Sequence, residues 1–275
     1  MKNKKILITG SAGSIGSGLV KEISKLQPRK IIALDQDESG LFNLRQEYEI
    51  TPVLANIREK ERIEEVFNKY NPDIVFHAAA YKHVPLLEKF PQEAMKTNII
   101  GTRNIIDISL KHKVEKFVFI SSDKAVNPTC VMGQTKKEGE RMCQSAGYVA
   151  VRFGNVLVSR GSIIPLWKKQ IEKGGPVTVT HPQMKRFFIS MGQACRLVIK
   201  ASEIGQPGEI LIMDMGQPIN IMDLAKQTIR TSGKDIEIKV IGTRPGEKLF
   251  EELIAADEKV EERDGFFIIK PIVLT

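Results

Sequence analysis

At 275 residues the chain has length for one large domain or two modest ones with ample core. Its 41 basic and 33 acidic residues leave a net charge of +8, but the charges are scattered, without the basic blocks or basic-aromatic interleaving of a nucleic-acid binder, so the excess better suits a ligand carrying phosphates. No apolar run approaches the roughly 18 to 20 residues of a membrane span. Met1-Lys2-Asn3-Lys4-Lys5 leads into a strand and not into a signal-peptide core, so the expectation is a soluble, cytoplasmic protein with neither membrane nor nucleic acid as partner.

In chain order, Lys5-Ile6-Leu7-Ile8-Thr9 predicts a strand, followed by the turn Gly10-Ser11-Ala12-Gly13-Ser14-Ile15-Gly16 and a helix to about Leu26, with Ile15, Leu19, Ile23 and Leu26 as its sheet-facing stripe. The next strand, Lys30 to Leu34, ends at Asp35. Glycines at such a turn let backbone N–H groups approach a pyrophosphate at a helix N-terminus, and an acid about twenty residues on accepts from a ribose hydroxyl. A dinucleotide site is therefore expected at Gly10, Ala12, Gly13, Ser14, Ile15, Gly16 and Asp35. The negative charge of Asp35 repels a 2′-phosphate, which favours NAD over NADP.

Pro52 to Ala55 predicts a third strand, with Asn56 and Ile57 bordering an adenine, and Glu59 to Tyr70 an exposed helix packing through Ile63, Val66 and Phe67. A fourth strand, Asp73 to Phe76, runs into His77-Ala78-Ala79-Ala80-Tyr81-Lys82-His83. There Ala78, Ala79 and Ala80 let the backbone lie close under a flat ligand, and Lys82 faces cofactor and substrate phosphates. His77 and His83 lack metal-ligand spacing, and Cys130, Cys143 and Cys195 lack any C-x-x-C pair, so no metal and no disulfide is expected. A helix from about Gln92 to His112 carries Asn98, placed near the nicotinamide.

Lys116 to Ile120 is an apolar run, so the polar residues that follow it, Ser121 through Lys136, sit where a buried strand leaves a sheet, the edge where open α/β sheets bind ligands. Pro128 and Thr129 suggest a helix start, and on a helix from about Val131 to Cys143 the spacing of four sets Met132 and Lys136 on one face. Tyr148 to Arg152 is a sixth strand. Alternation of strands and helices over some 150 residues predicts a doubly wound parallel sheet, here assigned to residues 1–155. Residues 156–275 change in texture and are read as a smaller substrate-covering lobe, the boundary being approximate and the two parts open to interleaving.

These residues together resemble the extended short-chain dehydrogenase/reductase superfamily, and within it the UDP-N-acetylglucosamine 4,6-dehydratases of polysaccharide biosynthesis. The resemblance rests on T-G-S-A-G-S-I-G at Thr9 to Gly16, H-A-A-A-Y-K-H-V-P at His77 to Pro85, S-S-D-K-A-V-N-P-T at Ser121 to Thr129, R-F-G-N-V at Arg152 to Val156 and R-P-G-E-K-L at Arg244 to Leu249. It implies a Rossmann-like α/β fold with a C-terminal substrate-binding lobe, NAD as cofactor, a UDP-N-acetylhexosamine substrate and a homo-oligomer. It implies Lys124, its pKa depressed by a crowded cationic site, as the base at C5, and Asp123 as the acid at the departing C6 hydroxyl. Lys136 matches the lysine that binds the nicotinamide ribose. The superfamily's tyrosine position holds Met132, and a thioether cannot take a proton, so Asp123, assisted by Ser122, must also serve as the base at C4. Asn155, Arg160, Arg186, Arg244 and Glu247, with Lys82, match positions that grip the UDP part. A UDP-sugar 4-epimerase and a non-catalytic dinucleotide sensor are the alternatives.

Overall fold

Apolar, β-branched runs in the middle of a sheet must be covered on both faces. The computed structural model, which describes residues 1–271, meets that demand with one nine-stranded sheet. The first half comprises β1 (Lys5–Thr9), α1 (Ser14–Ser24), β2 (Lys30–Asp35), α2 (Glu38–Glu47), β3 (Thr51–Leu54), α3 (Lys60–Tyr70) and β4 (Ile74–His77). Two short helices follow, α4 (Val84–Lys89) and α5 (Pro91–Ala94), then a π-helical turn over Met95–Gly101, α6 (Thr102–Lys111) and β5 (Lys116–Ile120). A 3-10 turn over Asp123–Ala125 leads into α7 (Val131–Ser145) and β6 (Val149–Arg152). The remainder is β7 (Asn155–Val156), α8 (Ile163–Glu172), β8 (Val177–Val179), β9 (Lys185–Arg186), β10 (Phe188–Ile189), α9 (Met191–Ile204), β11 (Ile210–Met213), β12 (Ile219–Asn220), α10 (Ile221–Ser232), β13 (Ile238–Val240), β14 (Val260–Arg263) and β15 (Phe266–Ile269).

The sheet order is β14-β15-β11-β6-β5-β4-β1-β2-β3. It is parallel from β11 to β3, with β15 antiparallel to β11 and β14 antiparallel to β15. From β1 the chain lays strands outward through β3, then returns to β4 on the other side of β1. That reversal opens a crevice at the carboxyl ends of β1 and β4, which is where such sheets hold ligands.

Alternation along the strands fills both faces. Ile6 and Ile8 meet Leu19 and Ile23 of α1 and Leu197 and Val198 of α9, while Leu7, Val75, Phe117 and Phe119 meet Phe67 of α3 and Ile105 of α6. A separate core of Trp167, Ile171, Val177, Val179, Met184, Ile221 and Ala225 builds a small lobe around α8, α10 and the parallel pair β8 and β13. The chain does not pass once from one lobe to the other at residue 155. α9, β11 and the β14–β15 hairpin return to the large sheet, so the small lobe is an excursion between β6 and β11 and again between β11 and β14.

The single helix expected from Gln92 to His112 is interrupted by the π-helical turn. Such a turn widens the helix locally. Its Asn98 side chain turns in, accepting from the Tyr81 N–H (2.8 Å) and donating to the Tyr81 carbonyl (2.9 Å) and to Thr135 Oγ1 (3.0 Å).

Candidate functional site

Leaving β1, the chain turns through Gly10 at φ +67°, a left-handed conformation that glycine adopts without a Cβ clash. A β-carbon there would stand 2.6 Å from the Ala79 nitrogen, and one on Gly16 would stand 2.1 Å from the Gly10 carbonyl oxygen. The turn is thus closed over its own backbone and over the loop after β4. Gly16→Ala is expected to cost about 1–3 kcal/mol of stability by overpacking, read as a lower midpoint in chemical denaturation; an unchanged midpoint would mean that the turn relaxes freely. Gly13 is the N-cap of α1, and Ser14, Ile15 and Gly16 form its first turn, whose N–H groups have no acceptor within the helix and lie at its positive end.

Asp35 ends β2 with its carboxylate fixed by two backbone donors, the N–H of Ala12 (2.9 Å) and of Asp37 (3.0 Å). Asn56 donates to Gln36 Oε1 (2.9 Å) and accepts from the Arg58 N–H (3.0 Å). These residues, with Gly10, Ala12, Gly13, Ile57, Ala78, Ala79, Ala80 and Tyr81, line a cavity of about 330 Å³ at the crevice. Between Gly10 and Ala12, the Ser11 hydroxyl is buried with no partner among the described residues. The positive helix end, the glycine cradle and the orphaned hydroxyl fit an extended anionic ligand such as a dinucleotide.

His77 is buried between Thr9 Oγ1 (2.7 Å) and Thr102 Oγ1 (2.9 Å). Burial, with Lys136 nearby, holds its pKa down at about 3, so it is neutral. Among the described residues no group of His, Cys, Asp and Glu is arranged to hold a metal. Lys136 does lie on the inner face of α7. Its ammonium donates to the Ile120 carbonyl (2.6 Å), stands 4.7 Å from the centre of the Phe119 ring, and is lowered by burial to a pKa of about 8. Met132 is 4% exposed and packs with Leu87, Ala94 and Cys130 in a small apolar cluster. The cap of α7 is Cys130, whose sulfur accepts from the Gly133 N–H (3.3 Å), one residue beyond the expected Pro128–Thr129 start.

At the carboxyl end of β5, Asp123 is fully buried. Its Oδ1 accepts from Ser122 Oγ (2.8 Å) and from Lys124 Nζ (3.0 Å), while its Oδ2 has no partner among the described residues. Lys124 also approaches Asn155 Oδ1 (3.4 Å) and Glu251 Oε1 (3.5 Å). This corrects the expectation of a depressed lysine. Burial does work against its charge, but Asp123 and Glu251 outweigh burial and the repulsion of Arg186, and Lys124 titrates above the ordinary lysine range.

The arginines divide. Arg186, expected to grip a diphosphate, is buried, and its guanidinium donates to the carbonyls of Lys185 (2.8 Å), Lys248 (2.8 Å) and Leu249 (3.2 Å), so it braces the backbone. Arg160 lines the crevice cavity, its N–H donating to Ser14 Oγ (2.8 Å) and its guanidinium reaching Asp37 (3.2 Å). Arg244 is exposed, in a turn closed by its N–H donating to Glu247 Oε2 (3.0 Å). That turn docks on the loop before α7: Lys248 Nζ donates to the Val126 carbonyl (2.9 Å) and Thr129 Oγ1 to the Gly246 carbonyl (3.1 Å). Lys82 is exposed, its ammonium 3.5 Å from Ser159 Oγ, and partial desolvation together with Arg160 holds its pKa below the ordinary lysine value.

Sequence reasoning missed Glu251 and a buried ion network. Arg152, 1% exposed, is held by Glu140 (2.7 Å) and Glu258 (2.8 Å), and Ser121 Oγ donates to Glu140 (2.6 Å). Burial would raise the Glu258 carboxyl, yet bonds from Arg152 and the Ala255 N–H hold it below the ordinary glutamate value. A depressed acid contributes stability above its unfolded pKa and loses it as pH falls through the folded one. Glu258→Gln is therefore expected to flatten the fall in melting temperature below about pH 4.5, and a parallel fall in both proteins would contradict this.

The chain matches, over residues 6–270, the family model described as polysaccharide biosynthesis protein. It is 50% identical over 276 residues to the capsular polysaccharide biosynthesis protein CapD of Staphylococcus aureus, covering 94% of this chain and 46% of that one, so it spans just under half of that relative. It is 35% identical to a UDP-N-acetylglucosamine 4,6-dehydratase (inverting) of Campylobacter jejuni, covering 99% of this chain and 85% of that one. Among solved structures, that of Pen from Bacillus thuringiensis superposes with a TM-score of 0.94 at 37% identity, covering 100% and 88%.

Proposed function

From a chain that belongs to the polysaccharide biosynthesis protein family, within the extended short-chain dehydrogenase/reductase superfamily, we propose an enzyme that modifies a nucleotide sugar, specifically an NAD-dependent UDP-N-acetylhexosamine 4,6-dehydratase. One observation carries the reading: a buried aspartate with an unpartnered oxygen, bonded to a serine and a lysine at the carboxyl end of β5, with a methionine on the adjoining helix. An ordinary surface ion pair has neither burial nor an orphaned acceptor.

The first turn of α1 would hold the pyrophosphate, Asp35 the adenosine ribose, and Lys136, with two ammonium protons unspent, the nicotinamide ribose. NAD, when bound there, would supply hydride-acceptor chemistry for the sugar's C4 and hydride-donor chemistry for C6. Asp123 takes the C4 hydroxyl proton, since Met132 has no basic atom. Lys124 in its amine form removes the C5 proton, made acidic by the adjacent C4 ketone. Asp123 then gives its proton to the C6 hydroxyl, which leaves as water, and a proton returns to C5. Protonation of Asp123 in the first step also removes one of the two negative charges that keep Lys124 charged.

Residues 1–155 with the returning strands would form the cofactor half, and the small lobe around α8 and α10 would cover the UDP-sugar. Incubation with UDP-N-acetylglucosamine and NAD tests the proposal: mass spectrometry should show a product lighter by one water. An isomer of unchanged mass would instead mean an epimerase, and unaltered substrate with retained dinucleotide a sensor.

A further inference from the structure

Glu251 lies two residues past Leu249, where β9 meets the docked turn, and its side chain is 4% exposed. A carboxylate is taken from water only at considerable cost unless partners satisfy it. Here Oε1 is 3.5 Å from Lys124 Nζ and 4.0 Å from an Arg186 nitrogen, and Oε2 is buried with no hydrogen-bond partner among the described residues. Lys124 therefore sits between two buried carboxylates, Asp123 on its own turn and Glu251 on another segment, each with one idle oxygen. The other groups that bear on it are Arg186, which opposes its charge, Asn155, which accepts from it, and the Cys130 thiol.

We propose that Glu251 is a positioning residue for Lys124: it holds the ammonium between two carboxylates and governs the pH at which the amine becomes free. Its place in catalysis rests on the dehydratase reading, in which the free amine is the C5 base. There Glu251 trades the fraction of amine available at neutral pH against its strength as a base, because a lysine that binds its proton more tightly also removes one more effectively. Its influence on Lys124 is a property of the resting protein and does not depend on the reaction.

The test uses the whole chain without sugar. Acetic anhydride acylates only the free amine, and mass spectrometry of the peptide carrying Lys124 reports the rate at pH 9. An opposite charge within about 4–6 Å shifts a pKa by at least about one unit, and each unit is tenfold in free amine. Glu251→Gln is thus expected to speed acylation of Lys124 about tenfold, with other lysines unchanged. Glu251→Asp keeps the charge but withdraws it by a methylene, and an intermediate rate is expected; it also serves if the glutamine variant does not fold. Acylation at the parental rate in the variant tested overturns the proposal, whatever reaction the protein catalyses. If the dehydratase reading also holds, the alkaline-going limb of kcat/KM moves to lower pH in Glu251→Gln.

Discussion

Lys124→Ala is expected to lower the rate of dehydration by on the order of 10²- to 10⁴-fold, the usual contribution of a positioned acid or base, while dinucleotide affinity stays within a factor of about two, well inside one pKa-unit equivalent. The asymmetry follows from placement. Lys124 is not among the residues lining the crevice cavity, whereas its ammonium touches Asp123, Asn155 and Glu251. Truncation also leaves two buried carboxylates without their shared cation, so some stability must go with it. Initial rates with excess UDP-sugar, calorimetric titration with NAD and a melting curve separate these effects. Turnover near the parental rate would remove Lys124 from the chemistry, and loss of NAD binding would mean that the substitution collapsed the site.

The largest loss of stability is expected from Arg152→Met. Its guanidinium bridges Glu140 of α7 and Glu258 before β14, and also donates to the Leu253 carbonyl (2.9 Å). It thereby ties the sheet to the segment that carries Glu251. Removing one member of a buried charge set leaves the others uncompensated, at a cost of about 3–5 kcal/mol. For a chain of this size that lowers the melting temperature by on the order of 10 °C. Replacing all three charges with apolar residues of similar volume should recover much of the loss, since the penalty lies in the stranded carboxylates and not in the absence of the pair. A loss below about 1 kcal/mol for the single change, as for exposed pairs, would show that water reaches Glu140.

Much of the sheet was legible because buried parallel strands leave unmixed apolar runs. Lys5 to Thr9, Lys30 to Asp35 and Lys116 to Ile120 fall where the apolar runs set them. The β14–β15 hairpin has a strong turn signal in Asp264-Gly265, both at positive φ, but the three consecutive charges of Glu261-Glu262-Arg263 hide the strand before it. The π-helical turn has no local signal, since Thr97 and Asn98 reveal its purpose only through Arg58, Tyr81 and Thr135, which lie far away in sequence.

The candidate site divides in the same way. Where backbone shape is the requirement, as at Gly10 and Gly16, residue type alone discloses it. Where a charge is involved, type does not say what it faces. Arg186 looks like a diphosphate ligand in sequence and is a backbone brace in three dimensions, and Lys124 looks like a lysine among cations but stands between carboxylates. Glu251, in Glu251-Glu252, is indistinguishable from a solvated pair until the fold buries it.

Proton NMR of the protein with NAD and UDP-N-acetylglucosamine in deuterated water joins hydride transfer, proton abstraction and loss of water in one spectrum. A new C6 methyl signal from a sugar carrying solvent deuterium at C5 is the predicted result. A galacto-configured product without a methyl group would contradict it.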